Sequence, residues 1–395
     1  MPYRILSLDG GGAWALIEVE TLIALYSEDT KGHDVLDDFD LVAANSGGSL
    51  VLGGLVENLT LGGLRDLFLD ETKRRAIFSP TKLWGDRALH DLTGIGPKYS
   101  AAAKLQAIER QLPNTGASDL ATVVKGIRRP GNADVHLLII GFDYDRNRAT
   151  FFRSAPASNR QGWGTGDTSG VTLAEAIHAS TNAPVNYFDG PAELPHQLDR
   201  YWDGGLTGNN NPVLAAVTEA LVLNQRPSDI VALSLGTATV FLPLAKPGEP
   251  RSPFTLARAE STLVGDLRKL ATSILDDPPD AASFIAHAIT GGPVGVPSPA
   301  DSRIVRMNPL ISPLKADGDG WAAPSGMTAA QFQYLCTLDM DAVEQAEVQA
   351  IADYARLWLG NRARNQPIRM DGDTLEREVG YDWFSEARDA WRAIR

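Results

Sequence analysis

The sequence predicts a parallel α/β sheet with helices on its faces. Two observations carry that expectation. A short apolar strand runs into a glycine turn and then a helix twice within about 60 residues, and such alternation favours a parallel sheet covered by helices. Further apolar runs, VHLLIIGFDY (135–144) and DIVALSLGT (229–237), then recur down the chain, the second again ending at a glycine turn. The chain has 395 residues, of which 44% are hydrophobic, so a sizeable core is available. At about 100–200 residues per domain this allows one large α/β domain with additions, or two to three smaller ones.

In order along the chain, RILSL (4–8) reads as a buried strand that stops at Asp9-Gly10-Gly11-Gly12. From Ala13 the pattern becomes helical: Leu16, Val19, Leu22 or Ile23, and Tyr26 recur on one face, with Glu18 and Glu20 off it. A second strand, 39–45, ends at Ser46 and is followed by GGSLVLGGLVENL, a helix of small residues that something must pack against closely. Residues 60–130 read as a mainly helical insertion or cap, and TLAEAIHASTNAP (172–184) as a helix stopped by Pro184. A Pro-rich linker near 244–254 divides a domain over 1–245 from a mainly helical region over 255–395. Its helices, at 260–290 and 327–359, are split by a Gly/Pro-rich stretch at 291–326.

The formal net charge is −13. Nucleic-acid binding needs basic patches to neutralise phosphates, so that class is excluded. Attachment to anionic membranes by charge alone is disfavoured too. The single cysteine, Cys336, forms no intrachain disulfide and no cysteine-rich metal site, which fits a reducing compartment. The first residues enter a strand without a signal-peptide apolar region, and no apolar run reaches the roughly 18 residues of a spanning helix. The expectation is a soluble, cytoplasmic protein that meets membranes only peripherally.

Three motifs bear on chemistry. A glycine run opening a helix, as at Gly10–Gly12, presents several N–H groups to an anion, either a phosphate or an acyl-transfer oxyanion; it also serves as a plain tight turn. No P-loop accompanies it. Ala44-Asn45-Ser46-Gly47-Gly48 is a G-x-S-x-G elbow with Ala in the first glycine place, in the strand–turn–helix setting that such an elbow needs. A serine nucleophile requires a base. Of the six histidines only His287 is late in the chain, and FIAHAI reads as a core or surface helix. Asp203, in YWDGGLTGNNNP, is the better base: a carboxylate on a glycine turn reaches into a site, although Asp-Gly turns are also common without function.

Taken together, Asp9-Gly10-Gly11-Gly12, Ala44–Gly48 and Asp203-Gly204-Gly205 resemble, in order and context, the patatin-like phospholipases. FDLVAANSGGS, IFSP (77–80), PKYS (97–100), FDYDRNRATFFRS (142–154), AIHASTNAPVNYF (176–188) and SLGTAT (234–239) extend the likeness to about residue 240, with weaker similarity at RIVRMNPLI (303–311) and LDMDAVEQ (338–345). The resemblance implies a three-layer α/β/α sandwich with a mostly parallel sheet, and a histidine-free Ser46–Asp203 dyad. It also implies an oxyanion hole from Gly10, Gly11 and Gly12, to which elbow geometry adds Gly47. Trp14 stands where the family has arginine, Ala15 where it has glycine, and Asn45 where it often has threonine. Trp14, Asn45 and Trp202 are candidate substrate contacts, Trp202 as an apolar wall beside Asp203. Leu67, Phe68, Ile77, Phe78 and Trp84 are candidates for an acyl-contacting or interfacial surface, or plain core.

The implied activity is ester hydrolysis on a phospholipid or related lipid at a membrane or micelle surface, of phospholipase A or lysophospholipase type, without metal or cofactor. A non-catalytic storage or binding protein, and an effector gated by a ligand through its C-terminal region, are the alternatives.

Overall fold

The computed structural model describes residues 2–80, 98–128, 133–155, 170–184, 187–195, 198–246, 248, 251–257, 261–295, 302–316, 320–372 and 374–394. An eight-stranded sheet runs through it, made of β1 (Tyr3–Leu8), β2 (Leu41–Asn45), β3 (His136–Asp143), β4 (Arg148–Arg153), β5 (Ala192–Glu193), β6 (Arg200–Asp203), β7 (Ile230–Leu235) and β8 (Ile304–Met307). The order is β5-β6-β3-β2-β1-β7-β8, with β4 also pairing β3. The five strands from β3 to β8 are parallel. β4, β5 and β6 are antiparallel to their neighbours.

The central strands are apolar on both faces because both faces are covered, as parallel sheets require. Leu6, Leu8, Val42 and Ala44 enter one core with the helices Leu16–Leu25, Ser46–Val56, Leu173–Ser180 and Gln345–Leu359. The alternate residues Ile5, Leu41 and Ala43 enter a second core with the helix Val213–Val222 and with Ala282 and Ala286. This is the three-layer sandwich expected from the sequence.

Four differences from the sequence reading have clear causes. The segment after Gly11 first makes a tight 3-10 turn, Gly12–Ala15, before the helix Leu16–Leu25. Glu18, placed on that helix's polar face by periodicity, is fully buried: its carboxylate accepts the Asp9 N–H at 2.6 Å. The helix expected to run to Pro184 ends at Ser180, where Thr181 turns its hydroxyl back to the Ile177 carbonyl at 2.8 Å. Residues 291–326, expected only to separate helices, contain β8, the edge strand of the main sheet. Trp84 lies outside the described residues.

β8 matters because it carries Arg306 inward. The guanidinium donates to Ser234 Oγ on β7 at 2.9 Å and to Asp9 Oδ2 at 2.5 Å, and both members of the ion pair are buried. Burial raises the Asp9 carboxyl to about 6, against the pull of Arg306. Burial, and then the charge of Asp9, raise Glu18 well above the usual carboxylate range. Removing one partner of a buried pair leaves an uncompensated charge, so Arg306→Met should cost about 3–5 kcal/mol in urea unfolding. Protonating Asp9 relieves that penalty. The loss should therefore be larger at pH 8 than at pH 5, and a loss independent of pH would contradict the pairing.

Candidate active site

Ser46 stands where β2 meets the helix Ser46–Val56, at φ +46°. A non-glycine residue in this left-handed region is strained and is held only by its surroundings. Those surroundings are explicit. The Ser46 N–H donates to Ser180 Oγ at 2.9 Å, and Ser49 Oγ donates to the Ser46 carbonyl at 2.6 Å. The Gly48 N–H donates to the Asp9 carbonyl at 2.9 Å, which ties the elbow to the glycine loop. A Cβ on Gly47 would lie 2.7 Å from both the nitrogen and the oxygen of Gly12, so only glycine lets loop and elbow meet.

β6 delivers Asp203 from the other side. Ser46 Oγ donates to Asp203 Oδ2 at 2.6 Å, and the Gly205 N–H donates to Oδ1 at 2.8 Å. The Asp203 N–H is held by the Asn182 carbonyl at 2.9 Å, in the turn after Ser180. Burial raises the Asp203 carboxyl above its ordinary range, while the bonds from Ser46 and Gly205 and the charge of Lys104 resist. Lys104, itself fully buried, donates to the His178 carbonyl and to Asn182 Oδ1, each at 3.0 Å, and lies over the Phe188 ring at 4.1 Å. Burial drives its pKa well down, with Asp203 opposing.

The glycine loop presents fewer donors than the sequence reading assigned. The Gly10 N–H is taken by the Asn210 carbonyl at 2.8 Å, and the Thr237 hydroxyl holds the Gly10 carbonyl at 2.6 Å. Among the described residues no backbone acceptor is assigned to the N–H groups of Gly11, Gly12 or Gly47. Gly12, Ser46, Gly47 and Asp203 line one cavity of about 350 Å³, partly open to solvent, with Phe188 and Met340 among its other walls. A second, largely apolar cavity of about 610 Å³ shares Gly12, Leu50, Ile77 and Phe78 with it and extends to Leu67 and Phe68. Four of the candidate acyl-contacting residues thus surround one space.

The three candidate substrate contacts stand elsewhere. Trp202 precedes Asp203 on β6, and successive strand residues point to opposite faces, so it packs edge-on against Tyr144 at 6.5 Å and is absent from both cavity linings. Trp14 is buried, its indole N–H donating to the Asp339 carbonyl at 3.1 Å. Asn45 is also buried. Its amide contacts Asn210 Oδ1 at 3.2 Å, and it fills the space that a side chain on Gly10 or Gly204 would need. It joins the three motifs to one another.

His287 is a core residue, bonded to Ser302 Oγ at 3.0 Å and near the Pro293 carbonyl at 3.1 Å. Sequence reasoning missed Lys104, Asn182, Arg306 and Met340. The one available signal was a charged residue inside an apolar strand or helix, as in RIVRM.

A profile of the family described as patatin-like phospholipase matches residues 6–217. Over 238 residues the chain is 27% identical to an intracellular phospholipase A2 of Caenorhabditis elegans; the match covers 59% of this chain and 19% of that protein. Among solved structures, VipD from Legionella pneumophila aligns over 89% of this chain and 66% of its own, at 10% identity and TM-score 0.33. The type III effector ExoU aligns over 90% and 53%, at 14% identity and TM-score 0.28.

The site makes a prediction that needs no substrate. With aspartate carboxyl carbons labelled, Asp203 should titrate by NMR with a midpoint above about 3.9, the ordinary value. The Ser46 hydrogen bond favours the charged carboxylate, so Ser46→Ala should move the midpoint further up. A downward or absent shift would contradict the contact.

Proposed function

The chain belongs to the patatin-like phospholipase family, and from that premise we propose that it is a lipid acyl hydrolase working through a Ser46–Asp203 dyad and an acyl-enzyme. The observation that carries this is the 2.6 Å hydrogen bond from Ser46 Oγ to Asp203 Oδ2 at the floor of a cavity that also holds Gly12 and Gly47.

In this reading Asp203 takes the Ser46 proton as Oγ attacks an ester carbonyl. A raised carboxyl is a stronger base than a free aspartate, which makes the transfer less uphill. The negative charge on the tetrahedral oxygen falls to the N–H groups of Gly12 and Gly47, with Gly11 beside them. A preorganised donor of this kind is worth about 3 kcal/mol in the transition state. The proton on Asp203 passes to the departing alcohol. Water, deprotonated by Asp203 in turn, then releases the fatty acid and restores Ser46. The acyl tail extends past Ile77 and Phe78 into the apolar cavity. No helix among the described residues is long and apolar enough to cross a membrane. Phospholipase A or lysophospholipase chemistry both fit this arrangement.

The test is fatty-acid release from micellar phospholipid and from a chromogenic acyl ester, with product mass analysis. Ser46→Ala and Asp203→Asn should each lose activity by about 10⁴-fold or more with the fold retained, as when a nucleophile or its base is deleted. In the wild type, kcat/KM should fall as pH drops through the Asp203 midpoint, because the protonated carboxyl accepts nothing. Full activity in either variant would sink the dyad.

A further inference from the structure

The catalytic cavity has one wall from far outside the segment that matches the family. Met340 lines it, although the family match ends at residue 217. It sits in the stretch between the helices Ala329–Leu335 and Gln345–Leu359. This stretch is fastened across the site at both of its flanks. The Asp339 carbonyl accepts the Trp14 indole N–H at 3.1 Å, and its carboxylate accepts the Tyr187 hydroxyl at 2.5 Å. The Asp341 carboxylate accepts the Tyr99 hydroxyl at 2.6 Å and pairs with Lys98 at 3.0 Å. Between them the Met340 carbonyl accepts the Ala13 N–H at 3.0 Å, from the turn that opens on Gly12. Burial, and then the bonded carboxylates, push both phenols up, so both stay protonated donors.

Arg74 extends the fastening to the apolar cavity. Its guanidinium donates to the Phe68 carbonyl at 2.6 Å, to the Val343 carbonyl at 3.1 Å and to Gln345 Oε1 at 3.0 Å. The same arginine lines that cavity. One strap therefore bounds the catalytic cavity through Met340 and braces the neighbouring apolar one through Arg74.

The two cavities divide an ester substrate unequally. The two cavities adjoin at Gly12, Leu50, Ile77 and Phe78, and the hydrolase reading puts the acyl tail in the apolar one. The alcohol half must then occupy the catalytic cavity, whose lining includes Met340. Resting on the hydrolase reading above, we propose that Met340, held by the Asp339–Asp341 strap, is a specificity-determining residue. It limits the alcohol half of the substrate and so favours esters that carry one acyl chain, of lysophospholipid type, over diacyl lipids. A second chain on the glycerol has to pass the thioether, and a methionine at that place excludes by bulk rather than by charge.

The experiment compares kcat/KM for lysophosphatidylcholine and for a diacyl phosphatidylcholine of the same chain length, in mixed detergent micelles, and reads only their ratio within each variant. That ratio cancels any general loss of activity or folding. Wild type should prefer the monoacyl lipid. Met340→Ala should raise the diacyl-to-monoacyl ratio roughly tenfold, the scale on which a pocket discriminates by a few methylene groups, and Met340→Trp should lower it. The pair Tyr99→Phe and Tyr187→Phe, which loosens the strap and leaves Met340 in place, should move the ratio in the same direction as Met340→Ala. A ratio unmoved by the Met340 substitutions, or a wild type that prefers diacyl lipid, overturns the proposal while leaving the hydrolase reading intact. Absence of hydrolysis of both lipids by the wild type overturns both.

Discussion

The hydrogen bond from Ser46 Oγ to Asp203 Oδ2 joins the ends of β2 and β6, two strands separated in the sheet by β3. Every other feature of the site can be understood from what that short contact demands. The two side chains are 157 positions apart in the chain, and neither is on a long, forgiving side chain. The sheet must therefore set their spacing. β2 pairs with β3 over Leu41–Asn45, and β3 pairs with β6 at Gly141–Asp143, so one continuous strand is the ruler for both. β6 runs antiparallel to β3, and this brings its last residue, Asp203, alongside the exit of β2.

Holding the contact requires burial, and burial is electrostatically costly. Asp203 carries its charge with the help of Ser46, Gly205 and Lys104. Lys104 is itself driven toward the neutral form by the same burial. The two groups restrain one another, with Asn182 bridging: its side chain receives Lys104 and its carbonyl receives the Asp203 N–H. A similar balance lies beneath the glycine loop, where Asp9, Glu18 and Arg306 are all buried. Burial raises both acids there, and Arg306, from the late strand β8, opposes it and keeps the Asp9 end of the loop charged and in place. The C-terminal third is thus part of the site twice, through Arg306 below the loop and through Met340 above it.

Much of this was legible in the sequence where glycine punctuates it. Gly10–Gly12, Gly47-Gly48 and Gly204-Gly205 mark places where backbones approach too closely for side chains, and such places leave a compositional trace. They point to Ser46 and Asp203, which the fold brings within hydrogen-bonding distance. The remainder depends on contacts that leave no local trace. Helical periodicity puts Glu18 on a polar face because it registers neighbours on the helix and not the Asp9 N–H that claims it. Adjacency to Asp203 in sequence suggests that Trp202 walls the site, yet in a strand adjacency means opposite faces. The uniform glycine run makes Gly10 look like a free donor, whereas the Asn210 carbonyl occupies its N–H in space. Lys104 belongs to no motif, Arg306 and Met340 fall only in the weakly similar stretches RIVRMNPLI and LDMDAVEQ, and their roles arise only when distant segments meet.

The account rests on Ser46 being a nucleophile activated by Asp203, and covalent capture tests that most directly. A fluorophosphonate should form a single adduct on the peptide bearing Ser46, read by intact mass and peptide mapping, as an activated serine does. Labelling should slow sharply in Asp203→Asn and should fall in the wild type as pH drops through the Asp203 midpoint. No adduct at Ser46, or labelling at an undiminished rate in Asp203→Asn, would contradict the dyad.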